Sequence, residues 1–273
     1  MKNLSLAFIG GGNMARCIIG GLLEKRVAAS NIMVSNPGAE KRQQLASDFA
    51  VNVTDDNHAA VAAADIVVLA VKPQILREVA TDLAPSLKPG TLVISVAAAI
   101  TCASIERWLG GNVAVVRAMP NTPSQVLMGA TGLFANTRVT EAQRELCEQI
   151  FGAIGISCWV ARERDIDAVT AIAGSAPAYF FFILEAMAEK GAELGLDFDS
   201  AKALATQTMM GAAALAQKTG LNPAELRKQV TSPGGTTERA IAVLRKQDLD
   251  STLRDAMDAV VARAAELSTI FDQ

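Results

Sequence analysis

Through the first 162 residues, short apolar runs alternate with amphipathic stretches, and most of the runs are near-continuous. Residues 4–9, 31–35, 51–53, 65–71, 91–96 and 113–118 read as strands. Strands covered on both faces by helices have this unbroken apolar pattern. Helical periodicity falls between several of them, notably over 14–25 and 39–49. The βαβα order predicts an α/β fold with a Rossmann-type, doubly wound parallel sheet. Residues 130–135 and 156–160 add strands at one end, with a helix over 140–154 between them.

Beyond residue 163 the strand signals vanish. Residues 165–195, 199–218, 223–230, 237–246 and 251–271 read as helices, so an all-helical domain over 163–273 is expected to follow the sheet domain over 1–162. Asp199 is an expected N-cap, Gly195 and Gly220 are expected stops, and Asn222-Pro223 pairs a cap with proline in the first turn. The stretch 201–217 carries Ala, Met or Leu on nearly every face, which predicts burial within its own domain or against a second subunit. The longest uncharged apolar run lies between Asp167 and Glu185 and contains Gly174, Ser175 and Pro177. It is shorter than the roughly 20 residues of a membrane span and reads as a buried helical segment.

Composition narrows the function. Hydrophobic residues make up 51% of the 273 and charged residues 19%, with mean hydropathy +0.27. Much of the excess is alanine, which suits close helix packing or a buried subunit interface. A net charge of −3 offers no platform for nucleic acid or an anionic membrane. The opening apolar run breaks at glycines without a cleavage site, so no signal peptide is expected and the protein is expected to be soluble and cytoplasmic. Cys17, Cys102, Cys147 and Cys158 are far apart and are expected to be reduced core thiols. The single histidine, His58, is expected at the surface or in a loop. Neither a metal site nor a serine–histidine nucleophile is expected.

The first strand runs into Gly10-Gly11-Gly12-Asn13-Met14-Ala15, which fits G-x-G-x-x-A. Gly10 serves a tight turn, Gly12 lets the backbone approach a pyrophosphate, and Ala15 lets helix and strand pack closely. The following helix aims its first amides at the phosphates. Alone, the motif also describes an ordinary glycine-rich turn; between the first strand and first helix of a βαβ unit it favours a nicotinamide dinucleotide. Domains that prefer NAD carry an acid about 20 residues on. Val34-Ser35-Asn36-Pro37 stands there instead, with Ser35 and Asn36 as donors and Lys41 and Arg42 nearby. This favours NADPH over NADH, although Lys41 and Arg42 also read as solvated helix charges.

Further motifs end the later strands and mark the helical half. They are Ala70-Val71-Lys72-Pro73, Ser95-Val96-Ala97-Ala98-Ala99, Arg117-Ala118-Met119-Pro120-Asn121-Thr122-Pro123, Gly174-Ser175-Ala176-Pro177-Ala178-Tyr179 and Val230-Thr231-Ser232-Pro233-Gly234-Gly235-Thr236-Thr237. With the glycine turn, this set closely resembles the pyrroline-5-carboxylate reductase family over nearly the whole chain, in order and spacing. Ser-Pro-Gly-Gly-Thr-Thr is its most specific element.

The resemblance implies hydride transfer from NAD(P)H to 1-pyrroline-5-carboxylate, the last step of proline biosynthesis. It implies that Gly10, Gly11, Gly12, Asn13, Met14 and Ala15 form the pyrophosphate loop, and that Asn36 and Asn57 meet the adenosine end. It implies further cofactor contacts from Ala70, Val71, Lys72, Pro73, Ala97 and Ala98. Ser232, Gly234, Gly235, Thr236 and Thr237 match the substrate-binding segment, with Thr237 bonding the ring nitrogen. The helical half is implied to form an interlocked homodimer that can assemble into a ring of dimers, one subunit's substrate loop completing the site near the other's cofactor. This chain has Ala99 and Ala176 where some members have Gly, and Thr236 where some have Ala.

A cyclic imine carboxylate must be held against the nicotinamide, its carboxylate bound and its iminium form favoured. Gly234-Gly235 can expose successive amides before a helix start near Thr237, an anion site without Arg or Lys; the same stretch also reads as a structural turn. Thr237 suits orientation and hydrogen bonding, since its hydroxyl is a poor acid. Ser175 lines the substrate pocket or, with Pro177, begins or kinks a helix. Tyr179, followed by three phenylalanines, reads as a packing residue with one satisfied hydroxyl. Asn121 and Thr122 fall at the carboxyl edge where open α/β sheets bind ligands, and Lys72 suits a main-chain contact better than catalysis. Two other readings differ in testable ways. β-Hydroxyacid dehydrogenases resemble one another in using a lysine of the helical half, and 171–184 contains none. A non-catalytic dinucleotide sensor leaves Ser-Pro-Gly-Gly-Thr-Thr unexplained. Reduction of the related six-membered cyclic imine stays open, since pocket size is not legible in the sequence.

Overall fold

The computed structural model describes residues 4–271; the outermost residues of the two expected domains lie outside that range. All eight expected strands form: β1 (Leu6–Ile9), β2 (Ile32–Ser35), β3 (Asn52–Thr54), β4 (Ile66–Leu69), β5 (Leu92–Ser95), β6 (Ala114–Met119), β7 (Gly129–Ala135) and β8 (Gly155–Trp159). They make one sheet in the order β3-β2-β1-β4-β5-β6-β7-β8. In β1, Leu6 and Phe8 face one core while Ala7 and Ile9 face the other, and all four are buried. Burial on both faces is why the strand reads as an unbroken apolar run.

The sheet is not parallel throughout. β7 runs antiparallel to β6, with Val116 opposite Ala135. Only residues 120–128 separate the two strands. A parallel neighbour needs a crossover of about a dozen residues or more, so the chain returns antiparallel. β8 then pairs parallel with β7 across the helix between them.

Six helices cover the sheet: α1 (Asn13–Glu24), α2 (Ala39–Phe49), α3 (Asn57–Ala62), α4 (Pro73–Leu83), α5 (Cys102–Trp108) and α6 (Glu141–Phe151). His58 is exposed in the first turn of α3, its Nδ1 2.7 Å from Ser86 Oγ and its Nε2 3.2 Å from Asp82. The four cysteines are free, but only Cys102 and Cys147 are core thiols; Cys17 is half-buried and Cys158 exposed. Cys158 falls on β8, where alternate residues face outward at the sheet's edge.

The expected helix over 165–195 is interrupted. α7 (Asp165–Val169) passes into a π-turn (Thr170–Gly174) before α8 (Ala176–Glu193). The Ser175 N–H donates to the Thr170 carbonyl at 2.8 Å. Pro177 has no N–H to offer the Ala173 carbonyl; that carbonyl accepts instead from Asn121 Nδ2 at 3.1 Å. α9 (Phe198–Thr219), α10 (Pro223–Gln229), α11 (Thr236–Lys246) and α12 (Leu249–Phe271) follow. Asp197, not Asp199, caps α9, accepting from Ser200 N at 2.9 Å. Gly220 ends α9 with φ +64°, and the Asn222 side chain caps α10.

The chain packs as two compact units. One runs through Ser175 and is rejoined by the chain from Val260 onward; the other is Ala176–Ala259. In the second unit α8 and α9 pack closely enough that a Cβ on Gly191 would lie 2.7 Å from Ala201 Cβ. Its buried hydrophobics are Ala176, Ala188, Ala201 and Ala205, while Phe180, Phe181, Phe182, Leu204 and Met210 are exposed. The apolar run between Asp167 and Glu185 is therefore not the buried segment expected, and most of α9 is not buried within its own chain. The stretch Asp165–Glu193 is long and apolar enough to cross a membrane by length and composition. The Tyr179 hydroxyl is buried without a hydrogen-bond partner, contrary to the expectation of a satisfied one.

Candidate active site

A cleft of about 360 Å³ opens beyond the carboxyl ends of β1 and β4, where the strand order reverses. Such switch points are where open α/β sheets bind ligands. Gly10, Gly11 and Gly12 line it. Gly10 adopts φ +100° and its N–H bonds the Ser35 carbonyl at 2.8 Å. A Cβ there would lie 2.7 Å from the Ala70 carbonyl oxygen. Gly12, in contrast, has φ −76° and nothing within 4 Å of its Cβ position. The open space at Gly12 is the cradle a pyrophosphate needs. α1 starts there with no side-chain cap, leaving its first amides for an anion. Asn13 and Met14 open the helix, and Ala15 is fully buried against the sheet. Ala70, Val71 and Lys72 form the opposite wall, with Pro73 in the first turn of α4.

The β2 end is built for position more than for donation. Ser35 lines the cleft, but it is 1% exposed and its Oγ donates to Asn57 Oδ1 at 2.6 Å. Asn57 therefore has its Nδ2 to offer. Asn36 accepts from the Gly11 N–H at 3.3 Å, and its own N–H bonds Thr54 O at 3.0 Å. Arg42 does not stand free for a ligand: its Nη1 donates to the carbonyls of Asn36 and Pro37, each at 2.8 Å. Three lining residues escaped the sequence reading, namely Asp55 beyond β3 and Ile75 and Val79 on α4. Ile75 and Val79 fall at i and i+4 after the Lys72-Pro73 motif, a signal that could have found this apolar wall. Ala97 and Ala98 follow β5 and are not among the residues that line this cleft.

Ser175 follows the π-turn, and π-turns recur at functional sites. Its turn is anchored to the sheet. Asn121 joins the Ala130 N–H at 2.9 Å to the Ala173 carbonyl, and a Cβ on Gly174 would lie 2.7 Å from Met119 Cε. Arg117, 4% exposed, pairs with Glu163 at 3.7 Å and Asp167 at 3.5 Å. Glu163 also accepts the Cys102 N–H at 2.6 Å, and burial foremost pushes the Cys102 thiol well up.

The Ser232–Thr237 loop lies in the Ala176–Ala259 unit. Gly234 adopts φ +71° and Gly235 is the N-cap of α11. The expected pair of bare glycine amides is not present. The Gly234 N–H is taken by Glu238 Oε2 at 2.8 Å and the Gly235 N–H by the Ser232 carbonyl at 3.0 Å. The amides available to an anion are those of the first turn, beginning at Thr236 and Thr237, because Gly235 provides no side-chain cap. Thr237 is half-buried and Ser232 and Thr236 are exposed.

The sheet order and the glycine cradle at its switch point define a protein of the Rossmann-type dinucleotide-binding class with a helical extension. Comparison with known proteins agrees and is more specific. A family model described as pyrroline-5-carboxylate reductase dimerisation matches residues 163–267, and one described as NADP oxidoreductase, coenzyme F420-dependent, matches residues 5–99. A pyrroline-5-carboxylate reductase of Pseudomonas aeruginosa is 48% identical over 268 residues, covering 98% of each chain. The structure of a pyrroline-5-carboxylate reductase from Coxiella burnetii superposes with TM-score 0.93 at 45% identity, covering 97% of this chain and 98% of that one. The NADP-bound pyrroline carboxylate reductase of Plasmodium falciparum gives TM-score 0.88 at 27% identity, covering 98% and 99%. The chain belongs to the pyrroline-5-carboxylate reductase family.

Proposed function

We propose that the protein reduces 1-pyrroline-5-carboxylate to L-proline with NADPH, the final step of proline biosynthesis. One observation carries this reading: the family likeness runs through both halves of the chain at once, at 48% identity over 98% of its length. NADH serves as an alternative donor. The bound cofactor supplies a hydride from its nicotinamide ring to the imine carbon.

The chain's own residues bind and orient. Gly10, Gly11, Gly12, Asn13, Met14 and Ala15 hold the pyrophosphate against the start of α1. Asn36 and Asn57 position the adenosine end, with Ala70, Val71, Lys72, Pro73, Ala97 and Ala98 completing the cofactor path. The first-turn amides of α11 bind the substrate carboxylate, with Ser232, Gly234, Gly235 and Thr236 shaping the loop and Ser175 contributing to the pocket. Thr237 accepts a hydrogen bond from the iminium N–H and keeps the ring in register for transfer. No step needs a metal or a covalent nucleophile.

Residues 1–162 act in this reading as the dinucleotide domain and 163–273 as the dimerisation and substrate domain. The exposed apolar residues of α8 and α9 pair with a second copy, giving a homodimer that can assemble into a ring of dimers. That pairing accounts for the apolar Asp165–Glu193 stretch without a membrane, and the protein acts in the cytoplasm. The deciding assay follows NADPH oxidation with pyrroline-5-carboxylate, beside NADH and the six-membered imine. Fast turnover on the five-membered ring is expected. Tight NADPH binding with no turnover on either imine would replace this reading with a ketone reductase of the β-hydroxyacid dehydrogenase kind or a dinucleotide sensor.

A further inference from the structure

We propose that Asp55 and Lys41 set how strongly the protein discriminates NADPH from NADH, Asp55 opposing the 2′-phosphate and Lys41 attracting it. The inference rests on the dinucleotide reading of the cleft. Rossmann domains that prefer NAD place an acid at the end of the second strand, where it accepts from the ribose 2′-hydroxyl and repels a phosphate. This chain has Ser35 and Asn36 there, and the acid stands one strand over: Asp55, just past β3, lines the same cleft as Ser35, Asn36 and Asn57.

The charges at this end are arranged against the simple expectation. Arg42 braces the β2 turn through the Asn36 and Pro37 carbonyls, and its Nη2 lies 3.1 Å from Asp55 Oδ2. Its side chain is 19% exposed, while that of Asp55 is 69% exposed. Arg42 therefore holds Asp55 at the rim without presenting its own charge to a ligand. Lys41 lines the cleft and makes no ion pair among the described residues. On the β2–β3 side of the cleft a 2′-phosphate meets Lys41 and the Arg42-paired carboxylate of Asp55, with Lys72 across on the β4 side; a 2′-hydroxyl meets an acceptor. Such a site favours NADPH only by the margin between Lys41 and Asp55 and retains NADH.

The test is direct titration of NADPH and NADH, by nicotinamide fluorescence, into the full-length protein and its D55N, D55E and K41A variants. D55N should tighten NADPH relative to NADH by about 3- to 10-fold, because it removes a like charge and releases Arg42. The gain should shrink as salt is raised, since the carboxylate is exposed. D55E keeps the charge and should stay close to the parent ratio, while K41A should move the ratio toward NADH. An unchanged ratio in D55N, or a shift toward NADH, would overturn the inference. Failure of the parent protein to bind either dinucleotide would instead overturn the reading of the cleft.

Discussion

Ser35 Oγ lies 2.6 Å from Asn57 Oδ1, joining the end of β2 to the first residue of α3. The two residues share the cleft wall, but in this arrangement only Asn57 has a donor left to offer. On the proposed function, Ser35 acts on the cofactor through Asn57. Ser35→Ala removes a hydrogen bond worth about 1 kcal/mol, so NADPH should bind roughly fivefold more weakly while the fold persists. Fluorescence titration measures this; an unchanged Kd would mean that Asn57 does not reach the cofactor.

Gly10 and Gly12 should separate folding from binding. Gly12→Val leaves backbone geometry unstrained and adds a side chain toward open space, so the melting temperature should hold while NADPH binding collapses. Gly10→Ala must accommodate φ +100° and a Cβ 2.7 Å from the Ala70 carbonyl, so it should lose about 2 kcal/mol or more of stability. Thermal melts beside titrations distinguish the two. Normal NADPH affinity in Gly12→Val would move the pyrophosphate elsewhere.

Thr237→Ala should lower kcat sharply and leave NADPH affinity nearly intact. The hydroxyl sits in the first turn of α11, outside the unit that carries the glycine cleft. Loss of kcat and of cofactor binding in equal measure would make Thr237 a structural residue.

Asp65 introduces an acid limb to stability. Its carboxylate accepts from Lys88 Nζ at 2.7 Å and from the Ser5 N–H at 2.9 Å. These bonds, Lys88 first, hold its pKa below the ordinary 3.8. A carboxyl group with a lowered folded-state pKa stabilises the fold above the unfolded value, and loses that effect as pH falls through the folded value. Asp65→Asn should therefore be less stable than the parent near neutrality, the gap closing below about pH 4. Denaturant titrations across that range check it; a gap that widens toward acid would contradict the assignment.

The strands were legible because burial on both faces leaves a continuous apolar signature, and residues 4–9 and 65–71 carry it plainly. The break at Thr170–Gly174 was less so: Gly174, Ser175 and Pro177 announce a disturbance, but the π-turn depends on Asn121, more than fifty residues earlier in the chain, reaching the Ala173 carbonyl. Asp197 and Asp199 are both sound caps by type, and only the backbone shows which one bonds Ser200. In the cleft, the glycine turn was visible as a local motif. Asp55, Ile75 and Val79 were not, because tertiary structure brings the β3 end and α4 to the mouth of β1. The occupied Gly234 amide was hidden for a different reason, since Glu238 reaches back from within its own helix.

Three consecutive exposed phenylalanines, Phe180, Phe181 and Phe182, leave apolar surface for something else to cover. Whatever covers them acts by mass action, adding stability in proportion to the logarithm of its concentration over its Kd. For a surface matched by a second copy of the same chain, the titrant is the protein itself. On the proposed homodimer, dilution then acts as a mild denaturant, and the protein should be cut by protease faster at low concentration than at high.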